Sequence, residues 1–124
     1  MTTPSCPSYV SGASDRPLIG GTIGAIFDAA AAAHAGREAL VVPHQQVRWT
    51  YAELKRRVDA LALGFMRLGL EPGDRLGIWS PNCSEWVLTQ FASAKAGLIL
   101  VNINPAYVRN ELEYAVNRVG CKAL

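Results

Sequence analysis

Few residues in this chain are placed to do chemistry, and most of those have a structural role open to them. Gly20-Gly21-Thr22-Ile23-Gly24 is glycine-rich and leads into a helical pattern, a setting in which backbone N–H groups can cradle a phosphate. A dinucleotide fingerprint, however, must sit between a strand and a helix, and this run follows a Ser/Pro-rich stretch. No G-x-x-x-x-G-K-[ST] phosphate loop and no G-x-S-x-G nucleophile elbow occurs. His34 falls near a helix C-terminus, where positive charge is favoured, and His44 falls in a turn. Both read as structural or surface histidines, because no nucleophile is placed beside them. Glu111 and Glu113 lie two apart on a helix and point in different directions. Glu53 and Glu85 read as helix-start residues and Asp74 as a turn residue, which leaves no carboxylate pair for acid–base work. Trp79, Trp86 and Phe91 read as core. Tyr107 is the best exception, in a loop beyond the C-terminal end of a central strand, the end at which open α/β sheets bind ligands. On this reading no residue is assigned a catalytic, cofactor-binding or metal-ligating role.

The elements that would position such residues are legible. Thr22 is placed to cap a helix running through Ile23, Ile26, Phe27 and the alanines to Ala35, with Gly36 as its stop. Ala39–Val42 and Val47–Trp49 read as a hairpin at a sheet edge, with His44, Gln45 and Gln46 in its turn. Thr50-Tyr51-Ala52-Glu53 is a capping box. The helix it opens carries Tyr51, Leu54, Val58, Leu61, Phe65 and Leu68 at alternating three- and four-residue spacing, and Gly69 ends it. Pro72-Gly73-Asp74 is a turn, and Leu76–Trp79 a strand. Asn82 is the expected N-cap of a helix with Val87, Leu88, Phe91 and Ala94 on one side, stopped by Gly97. Its small residues Ala92, Ser93, Ala94 and Ala96 permit close approach to a sheet. Leu98–Val101 is a continuous apolar run suited to a strand buried on both faces. Asn104–Tyr107 is a loop, followed by a helix with Val108, Leu112, Ala115, Val116 and Val119 on one face and Gly120 at its end. Lys122-Ala123-Leu124 begins another strand. The order is α/β, an incomplete doubly wound parallel sheet with flanking helices plus an N-terminal hairpin. A strand of three residues reads as an unfinished unit, and the expectation is truncation.

Composition sets the outer bounds. The chain has 124 residues, 50% hydrophobic and 18% charged, with net charge +2, which suits a globular core. Residues 1–21 read as a flexible, Ser/Thr/Pro/Gly-rich arm, leaving 22–124 as the folded unit. Lys55-Arg56-Arg57 is the densest basic run and reads as a solvated helix face, so no nucleic-acid partner is expected. Cys6, Cys83 and Cys121 have no metal-ligand spacing and read as free thiols, with Cys83 and Cys121 as small buried hydrophobes. No stretch is long and apolar enough to span a membrane. The N-terminus has neither a secretory h-region nor an Arg-rich transit pattern, and the resulting expectation is a cytoplasmic, bacterial-type protein.

Four segments, in order, carry a family resemblance. Thr50-Tyr51-Ala52-Glu53-Leu54 is similar to a "TYAEL" helix start. Gly73-Asp74-Arg75-Leu76 through Pro81-Asn82 resembles a "GDRV…PN" strand and turn. Ala94-Lys95-Ala96-Gly97 through Asn102-Ile103-Asn104-Pro105-Ala106-Tyr107 resembles "AKAGAI…VNINPAY". Glu111-Leu112-Glu113-Tyr114 looks like the following "ELEY" helix. These are segments of the adenylate-forming (AMP-binding) acyl-CoA synthetases, and the resemblance runs from about Ser8 to Leu124. Ser8-Tyr9-Val10-Ser11-Gly12, Pro17-Leu18 and Thr22-Ile23 resemble the medium-chain branch, family member two, and its bacterial fatty-acid CoA ligase relatives, which makes Met1 look like a natural N-terminus.

The resemblance implies the first part of the large N-terminal domain of such a ligase. A full-length member uses ATP and magnesium to turn a fatty acid into an acyl-adenylate, then passes the acyl group to coenzyme A. The family's phosphate loop, adenine motif, ribose-binding Asp and catalytic Lys lie downstream of the matched region. No residue role is therefore carried over, and the matched positions, Asn104 and Tyr107 included, look mainly structural. The expectation is a medium- or long-chain fatty-acid CoA ligase fragment that binds no cofactor and is inactive alone. The alternatives are a module that pairs or self-associates through its exposed sheet edge, and an independent nucleotide-binding protein, which the missing phosphate loop disfavours.

Overall fold

The computed structural model describes Gly12, Asp15, Arg16 and residues 18–124. The arm expected over residues 1–21, with Cys6 in it, lies for the most part outside the described residues. Helix α1 spans Ile23–Ala33, and the Thr22 hydroxyl accepts from the Ala25 N–H at 3.2 Å. It ends before Ala35 and Gly36, capped at His34. The physical reason is a competing use of the backbone. The Ala35 and Arg37 carbonyls accept from the N–H groups of Ala52 and Tyr51, donors that the next helix leaves unsatisfied in its first turn.

Strands β1 (Glu38–Val42) and β2 (Val47–Thr50) form an antiparallel hairpin. A 3₁₀ turn at Pro43–Gln45 joins them, and Gln46 takes left-handed backbone at φ 56°. The hairpin is a two-stranded sheet of its own and not the edge of the larger sheet. It packs against helix α2 (Tyr51–Arg67), where the Arg57 guanidinium lies 4.3 Å from the centre of the Trp49 ring.

The capping box that opens α2 is formed. The Glu53 N–H donates to the Thr50 hydroxyl at 3.2 Å, and the Glu53 carboxylate accepts from the Thr50 N–H at 2.8 Å. Leu54, Val58, Ala62 and Phe65 are its buried stripe. Ala62 joins that stripe unexpectedly, whereas Leu68 lies past the helix end and is 77% exposed. Gly69, at φ 80°, turns the chain so that Leu70 is buried instead, with its N–H on the Phe65 carbonyl at 3.2 Å. This is a Schellman closure with its apolar contact.

Three parallel strands follow: β3 (Arg75–Trp79), β4 (Ile99–Ile103) and β5 (Cys121–Ala123), in spatial order β4-β3-β5. Helix α3 (Ser84–Lys95) connects β3 to β4, and helix α4 (Arg109–Val119) connects β4 to β5. The middle strand, β3, buries Leu76, Gly77 and Ile78. The expected burial of Leu98–Val101 on both faces is corrected: Leu98 precedes the strand, β4 has one neighbour among the described strands, and Ile99 is 51% exposed. One sheet face carries Leu76, Leu100 and Ala123 into a core shared with Phe27, Leu54, Val58, Phe65 and Ala92. Alternation places Val101 and Ile103 on the opposite face, which α4 borders through Ala115 and Val119. Helices thus lie on both faces of a parallel sheet. α4 buries none of its residues fully, and Leu112, Ala115 and Val116 are half-buried.

Candidate functional site

The ends of β3 and β4 are where a ligand would approach this sheet. Trp79 and Ser80 leave β3, and Ile103 and Asn104 leave β4. Beside the upper half of β3 lies a cavity of about 340 Å³ lined chiefly by Leu61, Phe65, Ile78, Trp86 and Leu124, with Ser80, Glu85 and Thr89 as its polar part. A second gap, of about 370 Å³, separates β4 from α4 and is lined by Val101, Asn104, Tyr107, Tyr114 and Arg118 among others. Tyr107 therefore sits at a strand end as expected, and among the described strands β3 and not β4 is the middle one. Asn104 is engaged in its own loop. Its side-chain oxygen accepts from the Ala106 N–H and its carbonyl from the Tyr107 N–H, both at 3.0 Å.

The other candidates stay apart. The His34 ring faces Tyr51 with centroids 6.0 Å apart, while His44 lies in the hairpin turn. Glu111 reaches back to the Val108 N–H at 3.0 Å, and Glu113 is exposed on the same helix. Glu53 is held below the usual carboxylate range by the N–H and hydroxyl of Thr50. Asp74 is lowered by the Lys122 ammonium at 2.7 Å, with the Glu71 N–H adding to it. Gly24 belongs to α1 itself. A Cβ there would stand 3.0 Å from the Lys95 Cγ, so this glycine lets α1 approach α3. Cys83 and Cys121 are both free and half-buried, less enclosed than expected, and burial raises the Cys121 thiol.

Two polar clusters escaped the sequence reading. In the first, the Lys95 ammonium bonds both Asp28 oxygens, at 2.7 and 2.9 Å, and Asp59, while Lys55 bonds Asp59 at 2.5 Å and Asp28 at 3.1 Å. This joins α1, α2 and α3. Lys95 lowers the Asp28 carboxyl. Burial pushes Asp59 up, but Lys55 and Lys95 together bring it below its ordinary value. Lys55 is raised, first by Asp59. Only the Lys55/Asp59 pair, four apart on a helix, was readable in advance.

In the second cluster, the expected Asn82 cap is absent and Cys83 holds that position with no side-chain bond. The donor it leaves is met from the hairpin, where the Gln45 side-chain oxygen accepts from the Ser84 N–H at 2.7 Å. The Glu85 carboxylate accepts from the Gln45 amide N–H at 2.8 Å and from the Ser84 hydroxyl at 3.0 Å. Gln45, the Glu85 N–H and Ser84 together bring the Glu85 carboxyl down to about 2.

Magnesium and a triphosphate need convergent carboxylates and cationic or N–H donors. Here Asp28, Asp59 and Asp74 are held by lysines, and Glu53, Glu85 and Glu111 by helix-start groups. Among the described residues no three His, Cys, Asp or Glu side chains come together as a metal site would require. The residues present do not fit that group, and the arrangement they form is a fastened scaffold.

Comparison with known proteins places this scaffold. The sequence profile described as "AMP-binding enzyme" matches residues 27–124. The medium-chain acyl-CoA ligase ACSF2, mitochondrial, of Rattus norvegicus is 49% identical over 117 residues, covering 94% of this chain and 19% of its own length. The Homo sapiens protein of that name is 51% identical over the same span and shares. The inhibitor-bound N-terminal domain of FACL13 from Mycobacterium tuberculosis superposes with a TM-score of 0.80 at 28% identity, over 82% of this chain and 26% of that domain. The chain thus spans about a fifth of the length of the curated relatives it matches, and it corresponds to part of an N-terminal domain.

One expectation is corrected. The ACSF2 relatives are named as mitochondrial, which overturns the cytoplasmic reading. That reading rested on the absence of a leader-like pattern, and such an absence does not fix a compartment. The acyl-CoA synthetase resemblance and the α/β fold stand, and the chain belongs to the AMP-binding enzyme family.

Proposed function

We propose that this chain is scaffold from the N-terminal domain of a medium- or long-chain fatty-acid CoA ligase. The whole protein uses ATP and magnesium to convert a fatty acid to an acyl-adenylate, then passes the acyl group to coenzyme A. The single observation that supports this reading is the near-50% identity to medium-chain acyl-CoA ligases across 94% of the chain. Residues 22–124 are its part of the domain, and none of the described residues is catalytic or holds a cofactor.

What the chain contributes follows from its geometry. Ionisable groups join its elements, the Asp28–Lys55–Asp59–Lys95 cluster between three helices and Gln45–Glu85 between the hairpin and α3. Groups committed in this way hold a neighbouring site rigid. The test is acid-dependent exchange of pyrophosphate into ATP. The purified chain shows none, and measurable exchange by it overturns the scaffold role. A protein of the relatives' full length carrying this region exchanges with medium- or long-chain fatty acids, and failure across that range sinks the ligase reading.

A further inference from the structure

Helix α1 is fastened differently from the helix α2 that it lies against. α2 buries Leu54, Val58, Ala62 and Phe65, whereas α1 buries Gly24, Phe27 and Ala31. A single large apolar side chain of α1, Phe27, is thus buried, and it stacks on Phe91. One turn earlier, Gly24 lets the Lys95 stem of α3 lie across the helix. Charge supplies the other fastening among the described residues. Asp28 meets Lys95 at 2.7 and 2.9 Å and Lys55 at 3.1 Å, and these lysines belong to α3 and α2.

Those charges lie within reach of solvent. The Asp28 side chain is 40% exposed, and a gap of about 370 Å³ lined by Ala31, Ala32, Ala52 and Lys55 among others opens beside it. Dissolved salt therefore screens this contact more than it would a buried pair. Past the end of α1 the chain is held by different bonds. The Ala35 and Arg37 carbonyls accept from the Ala52 and Tyr51 N–H groups, at 3.1 and 2.9 Å. Neither bond involves a residue of α1, and Gly36 between them has open space around it. A screened charge contact on the helix and a tethered turn just beyond it are the parts of a hinged element.

We propose that α1 is a strap, which swings off α2 and α3 as one unit about His34–Gly36 when the Asp28 contact releases. The hairpin, α2 and α3 stay folded, and the Phe91 ring and the Lys95 stem are uncovered. Release orphans no lysine, because Asp59 keeps its bonds to both Lys55 and Lys95. Opening of this kind therefore costs less than unfolding the whole chain.

The experiment is native-state hydrogen exchange on the chain. The amides of Asp28 to Ala32 are expected to share one level of protection, at least about ten-fold below that of Val58 to Leu63 in α2. Their exchange rises less steeply with added urea, since less surface is exposed in the open form. The Tyr51 and Ala52 amides stay as protected as the rest of α2. Raising NaCl from about 0.05 to about 1 M speeds exchange in α1 at least about three-fold. In Asp28→Asn, α1 exchanges faster already at low salt, and the salt effect disappears. Equal protection and equal urea slopes in α1 and α2 overturn the strap, because the helices then open together. Loss of Tyr51 and Ala52 protection along with α1 removes the hinge, and a salt effect that survives in Asp28→Asn removes the charge contact as its fastening. The urea slopes are read on the wild-type chain, so they decide the matter even where the variant does not fold.

Discussion

Gln45 caps a helix 39 residues away: its side-chain oxygen takes the Ser84 N–H at 2.7 Å. A turn residue of the hairpin thereby fixes the start of α3. Gln45→Ala leaves a buried helix-start donor unpaired and is expected to cost about 1–2 kcal/mol, measured by urea unfolding. The Glu85 carboxyl is lowered from 4.5 to about 2. A lowered carboxyl adds stability that is present above its unfolded value and lost as pH falls through the folded one. The wild-type chain therefore loses stability between about pH 4.5 and 2, and Gln45→Ala flattens that loss. An unchanged acid slope in the variant counts against the link.

Lys95 is the shared cation of α1, α2 and α3, and its side chain is 17% exposed. Lys95→Met leaves Asp28 and Asp59 facing each other with only Lys55 between them. The expected loss is about 1–3 kcal/mol. Because both carboxyls are lowered in the folded chain, the loss shrinks as pH falls below their ordinary 3.8. Urea midpoints at neutral pH and at pH 3 check the sign.

Gly97 sits at φ 72°, and a Cβ there would stand 3.2 Å from the Pro72 Cβ. Gly97→Ala meets left-handed strain and a ring that the chain holds in place. The expected cost is about 1–2 kcal/mol, read from the unfolding midpoint. Gly36→Ala, with open space around it and φ outside the left-handed range, is neutral or stabilising in the same assay.

The rings of Phe27 and Phe91 stack with centroids 4.5 Å apart, joining α1 to α3 across the core. Phe27→Ala is expected to cost about 3–5 kcal/mol. A double-mutant cycle with leucine at both positions isolates the ring–ring part, about 0.5–1.5 kcal/mol. Coupling below the error of the cycle removes the stack as a source of stability.

Local chemistry was the legible part of this molecule. The Thr22 and Thr50 caps, the turns at Gly69, Gly97 and Gly120, and the strand–helix order each depend on residues a few positions apart, and they formed as read. Most misreadings came where a distant partner decided the outcome. Asn82 has the right chemistry for a cap, but Gln45 occupies the role through space. Leu98–Val101 has the composition of a doubly covered strand, but coverage depends on which strands lie beside it. Leu68 continues a spacing that Gly69 interrupts, and Leu70 takes its place. The Asp28–Lys95 contact left no periodic trace, because it spans two helices. At the site, Tyr107 lies at the end of its own strand as read, and among the described strands β3 is the one with a neighbour on each side.

The spatial order β4-β3-β5 also has a kinetic consequence. The hairpin, α1 and α2 are near neighbours in sequence and can assemble with little loop-closure cost. The middle strand, in contrast, precedes both of its neighbours, and each arrives only after a helical crossover. During synthesis from the N-terminus, β3 emerges with neither edge covered and gains its second partner last. Formation of the helical layer is thus expected to be fast and closure of the parallel ladder slow. The interval between them is when Leu76 and Ile78 are most exposed to pairing with another nascent chain.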